Sequence, residues 1–273
     1  MKNIPEKVKE ITGEHIRLIK SYLPGFLESY YIYGSVSMGA FDFGHSDVDF
    51  IAVVKGKADG ADIDALKKIH RELQGRFQKT ILDGIYLFKD DVESLQNNST
   101  IPCLRFNDGV FKGCKTFDKN SVDAYELIRY GITVKGQETR ELKYTVDFDI
   151  LIHKMRDNLN TYWRHWCMKC RKFPSVNFFG LFIAKRAVEW GVLGVSRLYY
   201  TFRERDIISK VGAGEYALKS VPSRWHKIIE ESMRFRKGIK KTYYNSVFER
   251  RNDALGYMDY MINECNMLFE QGK

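Results

Sequence analysis

Residues 33–54 of the chain read Tyr-Gly-Ser-Val-Ser-Met-Gly-Ala-Phe-Asp-Phe-Gly-His-Ser-Asp-Val-Asp-Phe-Ile-Ala-Val-Val. Near the end of this stretch, Asp47 and Asp49 stand two positions apart, at the start of the apolar run 50–54. In a β-strand this spacing places both carboxylates on one face of the sheet. A metal ion could bridge two carboxylates placed in this way.

Gly34 and Ser35 lie near the other end of the stretch, directly after the apolar residues 31–33. This order predicts a strand that ends in a glycine turn, whose backbone N–H groups can approach a phosphate closely. The alternative is that Gly34 serves an ordinary turn and that Asp47 and Asp49 cap a loop. On the first interpretation, the stretch combines a phosphate site with a cation site.

Five residues of the stretch form a pattern between two apolar runs, namely Gly34, Ser35, Ser46, Asp47 and Asp49. This pattern resembles the signature of the polymerase-β-like nucleotidyltransferase superfamily. The resemblance implies that the two aspartates hold one or two Mg²⁺ ions against ATP, the co-substrate. It also implies that Gly34 and Ser35 fix the phosphates and that Ser46 supports the site.

Residues 79–88 predict a strand that carries one acid, Asp83, among apolar neighbours. A charge in such a place is costly unless a partner holds it, and a metal shared with Asp47 and Asp49 would be such a partner. We therefore expect Asp83 to be a third metal ligand and to orient or deprotonate the acceptor hydroxyl. In the drug-modifying members of this superfamily, a glutamate stands at this place. The alternative is an edge strand with Asp83 in water.

Residues 196–217 resemble the helical domain of the aminoglycoside adenylyltransferases that modify streptomycin and spectinomycin. In that family a Ser-Arg pair begins a helix, and a lysine in the next helix meets the nucleotide phosphates. Lys210 occupies the place of this lysine, and Phe235 that of an aromatic residue beside the nucleotide. Glu189 is the only acid in 184–190, where the family's acids hold cationic groups of the drug.

The periodicity of the apolar residues changes along the chain. Residues 95–120 are polar with scattered aromatics, and we interpret them as loops with short strands. From about residue 121 the spacing of apolar residues is helical throughout. Before that point, the pattern predicts helices over 5–23 and 63–75 and strands near 28–33, 48–54 and 79–88.

These elements predict two domains. The first, at residues 1–139, is an α/β (α+β) nucleotidyltransferase domain with a mixed sheet. The second, at residues 140–273, is an all-α helical bundle domain. Residues 131–137 are the most plausible hinge between them, because they contain two glycines and interrupt the helical pattern.

The composition indicates a folded cytoplasmic protein. Of 273 residues, 44% are hydrophobic, and no apolar run approaches the roughly 20 residues that span a bilayer, so we expect no membrane partner. The five cysteines are an odd number, and no signal peptide is visible, which predicts the reducing cytoplasm. Cys167 and Cys170 have the spacing of a zinc half-site or redox pair, but no second pair exists and their segment looks helical.

The sequence therefore predicts a nucleotidyltransferase that moves AMP from ATP to a hydroxyl of a small molecule, with an aminoglycoside-type antibiotic as the expected acceptor. The net charge of +9 suits a polyanionic partner. One alternative is an enzyme that modifies RNA or protein, and another is a non-catalytic regulatory or antitoxin-like binding module. Nucleic acid is the less favoured partner, because charge runs on helices are usually solvated. Nothing in the sequence indicates the oligomeric state.

Overall fold

A computed structural model describes residues 4–272 of the chain. Its contacts group the chain into two compact units, Met1–Asp147 and Phe148–Lys273. This division lies slightly beyond the predicted boundary at 139/140. The reason is that Tyr144 is buried against the first unit, where its hydroxyl donates to the carbonyl oxygen of Ala124 at 3.4 Å.

Six strands form one sheet in the described part of the first unit, in the order β5-β4-β3-β2-β1-β6. Strands β2 and β3 run parallel, and the other neighbours run antiparallel, so the predicted mixed sheet is confirmed. The strand bounds are β1 (Leu27–Tyr33), β2 (Val48–Val54), β3 (Leu82–Phe88), β4 (Thr100–Asn107), β5 (Val110–Asp118) and β6 (Ile132–Lys135).

Helices of the first unit pack on both faces of this sheet. One face carries Tyr30, Phe50 and Tyr86 beneath apolar side chains of the first and third helices. The other carries Tyr31, Ile51 and Ile85 beneath the fifth helix. The helix bounds are α1 (Glu6–Tyr22), α2 (Gly34–Ser37), α3 (Gly60–Arg76), α4 (Lys89–Ser94) and α5 (Val122–Tyr130), with a 3₁₀ turn at Thr139–Glu141.

The prediction for residues 95–120 was wrong, because this segment forms the long hairpin of β4 and β5 and not loops with short strands. Asp108 and Gly109 make its turn, both with positive φ, at +54° and +66°. An Asp-Gly pair is a strong hairpin signal because both residues tolerate this backbone conformation. The signal was therefore present in the sequence.

The predicted hinge at residues 131–137 was also wrong. Strand β6 lies within this segment and pairs antiparallel with β1, where Ile132 faces Ile32. The ammonium group of Lys135 further ties the segment to the carbonyl oxygens of Leu27 and Glu28, at 2.9 and 2.8 Å. The segment is therefore part of the sheet of the first unit.

The second unit is helical, as predicted. Trp163 stacks on Trp190 at a centroid distance of 4.4 Å, so these rings belong to its core. None of the helices in residues 4–272 has the length and apolar character needed to cross a bilayer. The helix bounds are α6 (Phe148–Asn158), α7 (Arg164–Arg171), α8 (Val176–Ile183), α9 (Lys185–Glu204), α10 (Lys210–Ser220), α11 (His226–Arg236) and α12 (Val247–Glu270), with a π turn at Leu159–Trp163 and a 3₁₀ turn at Ser223–Trp225.

Two histidines lie in the core between the sheet and its helices. The ring nitrogens of His15 lie 2.9 Å from the Tyr30 hydroxyl and 2.8 Å from the Tyr86 hydroxyl. The Tyr86 hydroxyl also lies 2.9 Å from Nε2 of His70, whose ring stacks on Phe106. Burial lowers the pKa of His70 to about 3 and holds the pKa of His15 well below its usual value, so both rings are neutral.

This burial predicts a pH-dependent stability. Below about pH 6.5 the unfolded chain binds protons at these two histidines that the folded chain excludes, so their contribution to the free energy of unfolding falls as the pH drops toward about 4. His70→Phe keeps the stacking on Phe106 but removes one such group. Urea unfolding should therefore show a smaller loss over this range than in the wild type. His165→Phe, at an exposed position, is the matched control and should lose as much free energy of unfolding as the wild type. If His70→Phe also loses as much as the wild type, buried His70 is not a source of the pH dependence.

Candidate active site

The parallel register of β2 and β3 places Asp49 directly opposite Asp83. Neighbouring strands lie about 4.8 Å apart, so the two backbones hold these carboxylates side by side on one sheet face. On the other side of β2, Asp49 faces Tyr33 of β1. Asp47 immediately precedes β2, and its charge acts on both other carboxylates. The three predicted carboxylates therefore lie together at one end of the strands.

Asp49 is partly buried at the start of β2. Burial raises its pKa well above the usual value, and the negative charges of Glu126, Asp123, Asp47 and Asp83 raise it further. Such a group is costly to keep ionised without a cation. The position of Asp49 therefore favours a bound cation close to its carboxylate.

Asp83 has a partner that the sequence did not reveal. Its Oδ1 accepts the backbone N–H of Asp108 at 2.7 Å, and the N–H of Gly109 also acts on its carboxylate. Burial and the charge of Asp47 raise the pKa of Asp83 to about 6, although these two N–H groups oppose the shift. The alternative of an edge strand was wrong, because β3 lies between β2 and β4. The turn of the β4–β5 hairpin thus holds Asp83 in place.

Gly34 allows the chain to pass close to Asp49. Its φ is +65°, and a Cβ added to it would lie 2.2 Å from Oδ2 of Asp49. Only glycine fits this position, since a side chain would both strain the backbone and displace the carboxylate. The next residue, Ser35, has a buried hydroxyl with no hydrogen-bond partner among residues 4–272. Such a hydroxyl is suited to a phosphate oxygen.

Ser46 shapes the loop before the carboxylates. Its buried Oγ accepts the backbone N–H of Asp42 at 3.1 Å, and its own N–H donates to the carbonyl oxygen of Asp42 at 2.8 Å. These two bonds close a tight loop immediately ahead of Asp47. The position of Ser46 is thus consistent with a supporting role.

Sequence reasoning missed the acids of α5. Glu126 is buried, and its charge acts more strongly on Asp49 than that of any other carboxylate. Asp123 lies one helical turn earlier and forms an ion pair with Arg105 at 3.5 Å. A glutamate on the buried side of a short amphipathic helix was a weak signal that the sequence analysis did not use.

The predicted residues of the second unit form a cluster of their own. Oε1 of the buried Glu189 lies 3.5 Å from the Lys210 ammonium and 3.7 Å from the Arg236 guanidinium. Burial lowers the pKa of Lys210, while Glu189 raises it and the charges of Arg236 and Arg197 lower it. Two cations thus contact one buried acid, and the charge of Arg197 also acts on Lys210.

Phe235 also lies among cations. Its ring centroid is 4.3 Å from the guanidinium of Arg234, 5.5 Å from that of Arg250 and 5.9 Å from the ammonium of Lys185. Contacts of this kind are attractive because a cation interacts with the electron-rich face of the ring. The predicted nucleotide-binding residues of the second unit therefore share a basic environment.

The metal-binding capacity of the carboxylates is limited. In residues 4–272, no group of three or more His, Cys, Asp or Glu side chains is arranged to hold a metal ion. Magnesium, however, usually binds through one or two carboxylates together with substrate phosphates and water. Asp47 and the partly buried Asp49 fit this requirement, with the nucleotide supplying the remaining oxygens.

The pair Cys167 and Cys170 does not resemble a metal or redox site. Both side chains are buried, and burial raises the pKa of Cys167 to about 12 and that of Cys170 to about 11. Thiols are poor ligands and nucleophiles when they resist ionisation in this way. They form part of the packing of α7.

The contact between Gly34 and Asp49 generates a prediction. Gly34→Ala should lower the free energy of unfolding by more than about 1 kcal/mol, because it adds a steric clash to the cost of a positive φ. Gly39→Ala is the matched control, since Gly39 has a φ of +67° with no atom near its added Cβ. Urea unfolding of both variants separates the two costs. Equal losses of free energy in the two variants would show that a Cβ at position 34 does not clash with Asp49.

Comparison with known proteins bears on both units. Residues 184–264, which include Glu189, Lys210 and Phe235, match the family model of the aminoglycoside adenylyltransferase C-terminal domain. No curated protein sequence matches the chain.

A solved structure shares the fold. It is the crystal structure of spectinomycin adenyltransferase AAD(9) from Enterococcus faecialis with ATP and spectinomycin, which matches with a TM-score of 0.70 at 15% identity over 94% of this chain and 98% of that chain. The resemblance inferred from the sequence is thereby confirmed. Residues 184–264 are therefore similar to the C-terminal domain of the aminoglycoside adenylyltransferases, and the chain shares its fold with AAD(9).

Proposed function

We propose that the chain transfers an AMP group from ATP to a hydroxyl of a small antibiotic of the aminoglycoside or spectinomycin type. The observation that carries this proposal is the partly buried Asp49 placed opposite Asp83, with Asp47 beside them. The family of the C-terminal domain and the fold shared with AAD(9) support the same chemistry. We take spectinomycin as the first acceptor to test, because AAD(9) was crystallised with it.

In the proposed reaction, the acceptor oxygen forms a bond to the α-phosphorus of ATP. The bond from this phosphorus to the oxygen that bridges to the β-phosphorus breaks, and pyrophosphate leaves. Asp83 takes the proton of the acceptor hydroxyl. A pKa of about 6 suits this task, since the group is then mostly ionised at neutral pH and still basic enough to accept a proton.

Asp47 and Asp49 would hold Mg²⁺ together with the phosphates. When bound, this ion would neutralise charge on the phosphate oxygens and on the leaving pyrophosphate. Because Gly34 has no side chain, the backbone can pass close to Asp49. The Ser35 hydroxyl would donate to a phosphate oxygen. Asp83 is then left for the acceptor, because the N–H groups of the hairpin turn already orient its carboxylate.

Lys210 would contribute charge to phosphate binding, and Phe235 would lie beside the nucleotide, as the family resemblance implies. The family resemblance implies that Glu189 contacts a cationic acceptor. Its ion contacts with Lys210 and Arg236 favour a different task, in which it orients these two cations. We therefore propose that Glu189 acts on the acceptor at most indirectly.

Loss of the metal-binding carboxylates should abolish turnover. Asp47→Asn and Asp49→Asn each remove a charge aimed at the cation, so pyrophosphate release from ATP with Mg²⁺ and spectinomycin should become nearly undetectable. The free energy of unfolding of Asp49→Asn should not fall, because the change removes repulsion among partly buried carboxylates. Asp90→Asn, in α4, is the control and should keep wild-type turnover. Near-normal release by Asp49→Asn contradicts the proposed site.

Lys210→Ala should weaken the binding of ATP. A charge-assisted contact is worth about 1.5 to 3 kcal/mol, so nucleotide affinity or turnover should fall by roughly ten- to a hundredfold. Lys219→Ala changes an exposed lysine of the same helix and serves as the control. Calorimetric titration with ATP measures the nucleotide affinity of each variant, and pyrophosphate release measures its turnover. If Lys210→Ala matches Lys219→Ala in both assays, the role carried over from the family does not apply at this position.

A further inference from the structure

Helix α8 is apolar on every side and yet largely uncovered. It reads Val-Asn-Phe-Phe-Gly-Leu-Phe-Ile, so Asn177 is its only polar side chain, and Leu181 is its only fully buried one. Val176 and Ile183, at its two ends, are 87% and 81% exposed. A helix that is hydrophobic all round is normally buried in a core or in lipid. The sequence of α8 therefore fits an environment that residues 4–272 do not provide.

The exposed side chains of α8 belong to a continuous surface. We define the α8 surface as the exposed residues Phe173, Val176, Phe179, Ile183 and Phe248. Ring contacts join its phenylalanines, directly at 5.9 Å between Phe173 and Phe179, and through Phe178 and Phe182, which lies 4.9 Å from Phe248. An exposed apolar patch of this kind marks an interaction site.

Positive charge flanks the α8 surface in the chain. Lys169 and Lys172 precede α8, and Arg186 follows it; all three side chains are exposed and form no ion pair with residues 4–272. Glu249, the acid next to Phe248, is already paired with Lys227 at 2.6 Å. A partner of the α8 surface must therefore offer both apolar contact and negative charge.

These two requirements distinguish among partners. A second copy of the chain in a symmetric pair would bring the same lysines and arginine toward one another, which is unfavourable. Nucleic acid needs open ring faces for stacking, but these phenyl rings pack edge to face on one another. The most exposed apolar side chains, Val176 and Ile183, are aliphatic and offer no stacking surface at all.

We propose that the α8 surface binds the surface of a membrane that contains anionic phospholipids. The apolar side chains would enter the boundary between headgroups and acyl chains, about 5–10 Å deep, without spanning the bilayer. Lys169, Lys172 and Arg186 would meet the phosphates, since long basic side chains can keep their charge at the headgroup level. This proposal revises the expectation of no membrane partner, which rested on the absence of a spanning segment.

Sedimentation of the full chain with vesicles tests the proposal. The wild type should bind vesicles of phosphatidylcholine with phosphatidylglycerol, bind phosphatidylcholine alone much more weakly, and lose affinity as salt is added. Val176→Ser/Ile183→Ser should weaken binding by roughly tenfold or more, because it removes apolar contact. Lys169→Gln/Lys172→Gln should weaken binding to the anionic vesicles by about fivefold for each lysine.

Matched controls come from the hairpin of the first unit. Val110→Ser and Lys115→Gln change exposed residues of β5 and should leave vesicle binding unchanged. None of the variants touches the proposed catalytic residues, so their pyrophosphate release without vesicles should equal that of the wild type and confirm folding. The proposal is overturned if the wild type fails to bind anionic vesicles, or if Val176→Ser/Ile183→Ser binds as well as the wild type. It is also overturned if light scattering shows that these two changes dissociate a dimer instead.

Discussion

The crowding of carboxylates at the end of two parallel strands is the constraint on which the rest of the first unit depends. The register of β2 and β3 forces Asp49 to lie beside Asp83, and the acids of α5 add further negative charge nearby. Water screens this repulsion poorly, because Asp49 is partly buried and its pKa is raised. Two features of the fold accommodate it. The hairpin turn directs the N–H of Asp108 at Asp83, and the absence of a side chain at Gly34 leaves space for Asp49.

The second unit concentrates the opposite charge. Lys210 and Arg236 both contact a single buried acid, Glu189, and the charge of Arg197 acts on Lys210. The basic side chains of this cluster are complementary to phosphate groups, whereas the carboxylates of the first unit are complementary to a cation such as Mg²⁺.

The pattern of residues within single segments predicted much of this arrangement. The features that it did not predict depend on pairing between segments that are distant in the sequence. The apolar run after Asp49 was enough to place Asp47 and Asp49 at the start of a strand, and glycine chemistry was enough to identify the turn at Gly34. By contrast, the neighbour of Asp49 is decided by the pairing of β2 with β3, which no local pattern encodes. The same holds for Asp83, whose partner is a hairpin turn 25 positions further along the chain. Strand β6 was mistaken for a hinge because its four residues are too short to show a period.

The central claim is that these residues transfer the AMP part of ATP to a small-molecule hydroxyl. The most direct test is to follow labelled ATP with Mg²⁺ and a panel of hydroxyl-bearing antibiotics, with the label placed either on the α- or on the γ-phosphorus. We predict that label from the α-position becomes attached to one of these acceptors, while label from the γ-position is released as pyrophosphate. Label from the γ-position on the acceptor, or label from the α-position on RNA or on the protein itself with none on any antibiotic, would contradict the account.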